Sequence, residues 1–419
     1  MGHPARGGAV ARAQPSHILR LAPSPLTGRM HEIQSYARLA DAVRAHKAHD
    51  DGALLCLFPS AIRAAARRFL ASFPGQVTYA MKSNPHPIVL HLLYQEGVRH
   101  FDAASWPEIE LVRSLGPHAV AHFMNPVKAR AVIARAWRAG VRSFALDCEA
   151  ELDKIVAMTE GARDLTLLVR LAWTDGDARM PLDGKFGACA ADAPRLLRAA
   201  RKASARLGFT FHLGSQAMRP RAFAHLFAHS RALIQASGVV PDFLDIGGGF
   251  PLRYPGMVPP PLPAYMAEIR RAAKRYGFAA TPLWCEPGRA LVGEGGATAA
   301  RVELRKGDAL YLNEGIYGSL FDAGAPRWRF PVARVGDGAR RTPMRAFTLF
   351  GPTCDSADRL HHDVRLPADM REGDWLEFGQ LGAYGQVMKT GFNGFGSHRM
   401  ALIDEPPLLA RRAAPAAGA

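Results

Sequence analysis

No stretch of the 419 residues reaches the roughly eighteen consecutive apolar side chains that a membrane-crossing helix needs, so no membrane partner is expected. Cysteine is scarce. Five are scattered along the chain, Cys56, Cys148, Cys189, Cys285 and Cys354, without a CxxC pair or zinc-ligand spacing. An odd, dispersed set argues against a disulfide scaffold and a structural metal, and favours a reducing compartment, the cytoplasm. Acidic residues are the third shortage: 37 Asp+Glu against 53 Lys+Arg leave a formal charge of +16. Such an excess invites nucleic acid. The basic residues, however, are mostly Arg spread along Ala-rich stretches such as 61–68 and 199–206, with no aromatic-interleaved cluster. Solvated helix faces and no nucleic-acid partner are the expectation. Acids are also missing from the start, where Arg6, Arg12, Arg20 and Arg29 all precede Glu32. That leader has the makings of a transit peptide, but its Gly, Pro and Ala content makes a disordered tail over residues 1–30 the simpler expectation.

What is present is enough apolar material for a large core, 48% hydrophobic against 21% charged. Between about residues 76 and 286, short apolar runs alternate with amphipathic stretches such as 106–115 and 128–139. The strand-like runs are 76–80, 100–103, 119–123, 143–147, 166–171, 209–213, 243–246 and 283–286. Eight strand–helix units in succession predict an α/β fold of the (β/α)8 barrel type, over 59–286. Past Pro287 the texture changes to short alternating runs (309–312, 345–349, 375–378) broken by Gly and Pro, which predicts an all-β domain over 287–405. The apolar run 54–58 belongs with that domain, through an N-terminal segment at 31–58. An Ala/Pro/Arg-rich end, 406–419, is expected to be flexible.

Barrel chemistry collects just beyond the carboxyl ends of the strands. After strand one comes YAMKSNP, with Lys82, an amine that a barrel mouth can hold partly neutral for condensation with an aldehyde. A solvated surface lysine is the plainer alternative. After strand six comes HLGS, with His212 and Ser215. After strand seven comes DIGGGFP, whose Gly247, Gly248 and Gly249 let backbone N–H groups approach a phosphate, or simply make a tight turn. GxGxxG spacing is missing, so a dinucleotide is not expected. After strand eight comes CEPGR, where Glu286 can face a protonated pyridine nitrogen or merely pair with Arg289. Late in the chain, GPTCDSAD offers Cys354 as a proton donor and Asp355 as a carboxylate for an ammonium group, and GAYG follows at 382–385. Each motif alone is modest; their order along a barrel is not.

Taken together, segments 79–84, 101–108, 212–215, 245–251, 286–289, 351–358 and 382–384 resemble the alanine-racemase-fold (fold type III) decarboxylases that use pyridoxal 5′-phosphate. That group holds ornithine, diaminopimelate and biosynthetic arginine decarboxylases, and the likeness runs from about residue 50 to 400. The resemblance implies that Lys82 carries the cofactor as a Schiff base and that His212 stacks on its ring. It makes Ser215, Gly247 to Gly249, Arg289 and Tyr384 the phosphate cradle, and Glu286 the partner of the ring nitrogen. Asp102, Glu108 and Arg170 match supporting positions on neighbouring strands. Cys354 matches the acid that reprotonates Cα, and Asp355 and Tyr317 match substrate-facing residues. Asp322 is assigned to the substrate as well, on a loop that departs from the family's pattern. A homodimer with active sites shared between subunits is also implied.

The Cys354-Asp355 pair, with its shorter acid, is similar to ornithine decarboxylases, so a small basic amino acid is the expected substrate. L-Ornithine giving putrescine, for polyamine synthesis, comes first; lysine, diaminopimelate and an N-acylated ornithine are alternatives. Two other readings compete. A catalytically silent regulator of the same fold would be expected to lack Lys82 or Cys354, and both are present. A racemase of this fold would lack the Cys–Asp loop.

Overall fold

The computed structural model describes residues 17–20, 32–46, 52–173, 178–180, 184–336 and 342–413. Its centre is a closed barrel of eight parallel strands. These are β1 (Gln76–Ala80), β2 (His100–Ala103), β3 (Val120–Phe123), β4 (Ser143–Leu146), β5 (Thr166–Arg170), β6 (Arg206–Thr210), β7 (Phe243–Asp245) and β8 (Leu283–Cys285). Helices alternate with them, among them Trp106–Leu115 and Arg130–Arg138. Seven strands fall within about two residues of the sequence expectation. The sixth does not: it starts three residues earlier and ends before Phe211. Arg206 and Gly208 hide this start, since neither reads as strand material. Yet Gly208 is required, because a Cβ there would meet the Phe243 ring at 2.4 Å. That ring stacks on Trp284 at 4.0 Å and fills the barrel axis. Residues 211–213, freed from pairing, become the loop that carries His212.

The second unit is a ten-stranded sheet. Its spine is Gly296–Lys306, which pairs with Ala53–Leu57, Trp375–Phe378 and Ala309–Leu312. Its Gly/Ala-rich first half has weak strand propensity, and it was missed for that reason. It is buried from Gly296 to Ala300, where small side chains let neighbours close in on both faces. Ala53–Leu57 also pairs with His398–Ile403, which in turn pairs with Glu32–Tyr36. The described residues before the barrel thus lie in the sheet, and the chain returns to that sheet after the barrel.

Two terminal expectations need correction. Within the 1–30 tail, His17–Arg20 forms a strand antiparallel to Glu32–Tyr36; the rest lies outside the described residues. Within 406–419, Leu408–Ala413 is a helix, with Leu408 buried and Arg411 reaching Glu377 and Glu405. One apolar anchor and a partnered guanidinium hold down a segment whose composition alone reads as frayed. Residues 414–419 lie outside the described set.

Candidate active site

Lys82 sits in the single 3-10 turn Met81–Ser83 directly after β1. Pro85 and Pro87 keep the following backbone extended until the next helix starts at Pro87. The turn is tied on three sides. Tyr79 Oη donates to Asn84 O at 2.9 Å, Asn84 Nδ2 donates to Gly382 O at 2.9 Å, and Tyr384 N donates to Ser83 O at 2.8 Å. Ala80 N donates to Pro287 O at 3.2 Å. Loops after β1 and β8 and a loop of the sheet domain therefore fix one lysine. Its Nζ lies 3.4 Å from His212 Nε2.

The charge on Lys82 differs from the sequence expectation. Burial does act to lower its pKa, but Asp102, Tyr384 and Glu286 outweigh it and hold the ammonium above its ordinary value. In the free protein Lys82 is a charged amine, not a partly neutral one. Asp102, at the end of β2, is buried, and burial raises its pKa while Lys82 and Arg170 pull it down. Arg170 ends β5. His212 is driven well below the ordinary imidazole range by burial, then by Lys82 and Arg170. Glu108 acts locally: its Oε2 accepts the Ala104 N–H at 2.6 Å at the start of helix Trp106–Leu115. It reaches Lys82 and Asp102 only through their charges.

Across the barrel mouth, Glu286 is buried, and its Oε1 has no hydrogen-bond partner among the described residues. Burial, then Asp245 and Asp102, push its pKa well up. The triple glycine is more than a turn. A Cβ at Gly247 would lie 2.1 Å from Phe211 O, one at Gly248 2.7 Å from Glu286 O, and one at Gly249 2.8 Å from Gly214 O. Side chains are excluded there by three neighbouring backbones. Gly247 N donates to Asp245 Oδ1 at 2.9 Å, while the N–H groups of Gly248 and Gly249 have no partner among the described residues. Beside them Arg289 is buried, with Nη1 donating to Tyr254 Oη at 3.0 Å and Nε to Ser215 Oγ at 3.4 Å. Its guanidinium lies 4.2 Å from the Trp328 ring and 4.8 Å from the Tyr384 ring.

These residues fit pyridoxal 5′-phosphate. Free backbone N–H groups, a hydroxyl and a buried guanidinium suit a phosphate, and an orphaned carboxylate oxygen suits a ring N–H. Asp322 does not fit its expected place. Its carboxylate is buried 3.4 Å from Arg289 Nη2, so its charge is committed on the guanidinium side of the site. No sequence signal marked Tyr254 and Trp328, which complete that wall.

The Cys354 loop stands apart. Cys354 is exposed, its N and Sγ lie 3.2 and 3.3 Å from Asn393 Oδ1, and no contact joins it to Lys82. The Tyr317 hydroxyl donates to Asp355 Oδ2, and Ala357 N donates to Oδ1 at 2.9 Å. These bonds, Tyr317 first, hold the Asp355 carboxyl below its ordinary pKa. Asp358, the last residue of the GPTCDSAD motif and given no role there, is buried and clamps the loop by accepting from Ile316 N at 2.9 Å and Thr353 Oγ1 at 2.8 Å. Tyr317, Asp358 and the half-exposed Phe392 line a cavity of about 520 Å³ on this side. Within one chain, then, no contact among the described residues joins the cysteine loop to the lysine turn. Among the described residues no group of side chains is arranged to hold a metal, and no helix is long and apolar enough to cross a membrane.

Comparison with known proteins gives this arrangement relatives. Residues 60–293 match the family model described as pyridoxal-dependent decarboxylase, pyridoxal binding domain. The chain is 34% identical over 345 residues to a lysine/ornithine decarboxylase of Selenomonas ruminantium, covering 80% of this chain and 85% of that protein. It is 31% identical over 364 residues to antizyme inhibitor 2 of Xenopus laevis, covering 78% and 76%. Among solved structures it is similar to the arginine decarboxylase of Paramecium bursaria Chlorella virus, with a TM-score of 0.78 and 26% identity, covering 87% of this chain and 100% of that one.

Proposed function

Because the chain belongs to the pyridoxal-dependent decarboxylases that act on basic amino acids, we propose that its reaction is the decarboxylation of L-ornithine to putrescine. The observation that carries the substrate choice is Asp355. A short carboxylate, kept ionised by the Tyr317 hydroxyl and the Ala357 N–H, is built to receive a terminal ammonium. Lysine, one carbon longer, is the second substrate, in keeping with the name of the Selenomonas relative.

The cofactor, when bound, supplies the electron sink for the pair left behind by the departing carboxylate. Lys82 anchors it and Asp102 holds that amine in register through its charge, while the neutral His212 would stack on the ring. Arg289, Ser215, Tyr384 and the N–H groups of Gly248 and Gly249 take the phosphate. Glu286 faces the ring nitrogen. Cys354 returns a proton to Cα and Asp355 orients the substrate, both supplied by a second copy of this chain, because neither meets Lys82 within one chain. A homodimer with shared sites is thus part of the proposal, and five free thiols suit a cytoplasmic enzyme.

The relative named an inhibitor keeps a non-enzymatic reading in play, and one experiment separates the two. The purified protein is expected to be yellow and to release CO2 from ornithine faster than from lysine, arginine or diaminopimelate. Lys82→Ala is expected to lose both colour and activity. A colourless wild type, or a fully active Lys82→Ala variant, sinks the assignment.

A further inference from the structure

Arg289 heads the short helix Arg289–Val292 after β8, and Asp322 stands in the 3-10 turn Phe321–Ala323 of the sheet unit. The two side chains meet with Nη2 3.4 Å from Oδ2, and only 4% and 9% of them is exposed. A guanidinium has a fixed fork of N–H donors, one on Nε and two on each Nη. Here Nε donates to Ser215 Oγ at 3.4 Å, Nη1 to Tyr254 Oη at 3.0 Å and Nη2 to Asp322 Oδ2. One N–H on each Nη is left without a partner among the described residues. Asp322 also governs the face of the group. Its carbonyl accepts the Trp328 N–H at 2.7 Å, and the Trp328 ring lies 4.2 Å from the guanidinium carbon. One residue thus holds Arg289 by its edge with a carboxylate and by its face through an indole.

We propose that Asp322 is a positioning residue for the cofactor phosphate, acting through Arg289. A buried guanidinium left without a counter-charge is strongly unfavourable, so the pair keeps Arg289 at the seat before the cofactor arrives. The phosphate then meets a side chain already ordered, with one spare N–H on each Nη, and binding loses less conformational freedom. The inference rests on the cofactor seat described above, in which Arg289 takes the phosphate.

The surroundings agree. Burial acts to lower the Arg289 pKa, and Tyr254 and Asp322 outweigh it, so the anchor keeps its charge. Two other effects of the same contact lead to different outcomes. A carboxylate that mainly repels the phosphate would tighten binding when removed. One that mainly ties the sheet unit to the barrel would weaken every ligand of the seat alike.

The test is titration of the full-length protein, stripped of cofactor, with pyridoxal 5′-phosphate and separately with pyridoxal. The second has the ring and the aldehyde but no phosphate, and binding of each is followed by the absorbance of the lysine-bound aldehyde. Asp322→Ala is expected to raise the Kd for pyridoxal 5′-phosphate about tenfold to a hundredfold, the range for an outer partner that orients a directly binding group. The Kd for pyridoxal is expected to stay unchanged. Asp322→Asn, which keeps an acceptor of the same size, should recover most of the loss. Tighter binding in Asp322→Ala, an unmoved Kd, or an equal loss for both aldehydes overturns the proposal. Should Asp322→Ala not fold, Asp322→Ser leaves a hydroxyl too short to reach Nη2 and must show the same selective loss. Neither titration needs turnover. A wild type that takes up no pyridoxal 5′-phosphate overturns the inference together with the seat, whereas one that binds it and releases no CO2 counts against the decarboxylation alone.

Discussion

Lys82 Nζ stands 3.4 Å from His212 Nε2, while Gly214 N–H donates to the other ring nitrogen, Nδ1, at 2.9 Å. With Nδ1 occupied as an acceptor, a neutral imidazole carries its hydrogen on Nε2. The lysine charge and the histidine neutrality are two sides of one field. Asp102 keeps Lys82 protonated, and burial with the positive charges of Lys82 and Arg170 keeps His212 uncharged. A flat, neutral ring beside the amine suits stacking on an aromatic cofactor better than an imidazolium would.

Asp355 is the residue proposed to meet the far end of the substrate. Asp355→Ala is expected to raise KM for ornithine about tenfold to a hundredfold, the range for a lost hydrogen bond to a charged group. Asp355→Glu, one methylene longer, should move the ornithine-to-lysine preference further toward the shorter substrate. Steady-state kinetics on both amino acids checks this, and an unchanged preference would falsify the role of Asp355.

The separation of Cys354 from Lys82 has its own consequence. Lys82→Ala and Cys354→Ala are each expected to be inactive as pure proteins. Mixed in equal amounts and allowed to exchange subunits, they should recover about a quarter of wild-type activity, because half the symmetric dimers become hybrids with one intact site of two. No recovery, with subunit exchange verified, would show that both halves of a site come from one chain.

The barrel floor sets the response to acid. His122 is buried, with Nδ1 2.6 Å from Ser143 Oγ and Nε2 2.9 Å from His100 Nδ1. Burial, then His100 and Arg206, lower its pKa to about 3. The folded state refuses a proton that the unfolded chain accepts near its ordinary value. Stability is therefore complete above that value and is lost as pH falls toward 3, at about 1.4 kcal/mol per pH unit for this one group. Denaturant midpoints between neutral pH and pH 5 should fall less steeply in His122→Asn. An identical slope would remove His122 from the acid response.

How much of this was legible follows the reach of each signal. Barrel strands carry their identity in local apolar runs, so β1 to β5, β7 and β8 were readable. The strand at 206–210 and the spine at 296–306 depend on small residues whose value appears only when Phe243 or a neighbouring strand closes over them. Motif residues after strands one, six, seven and eight came together as the barrel requires. Asp322 did not, because nothing in its loop shows that Arg289 lies opposite. Tyr254 and Trp328 stayed silent, since their partners lie 35 to 126 positions away, while Asp245 and Asp358 stood inside quoted motifs without a role of their own.

The lysine turn is stitched to the sheet through Asn84 to Gly382 and Tyr384 to Ser83. Those two threads run between the barrel and the sheet. Prying the two bodies apart thus means unseating the amine proposed to grip the prosthetic group. Conversely, a chain that has not yet docked its second half has no finished place for the vitamin, so loading reports that assembly is complete.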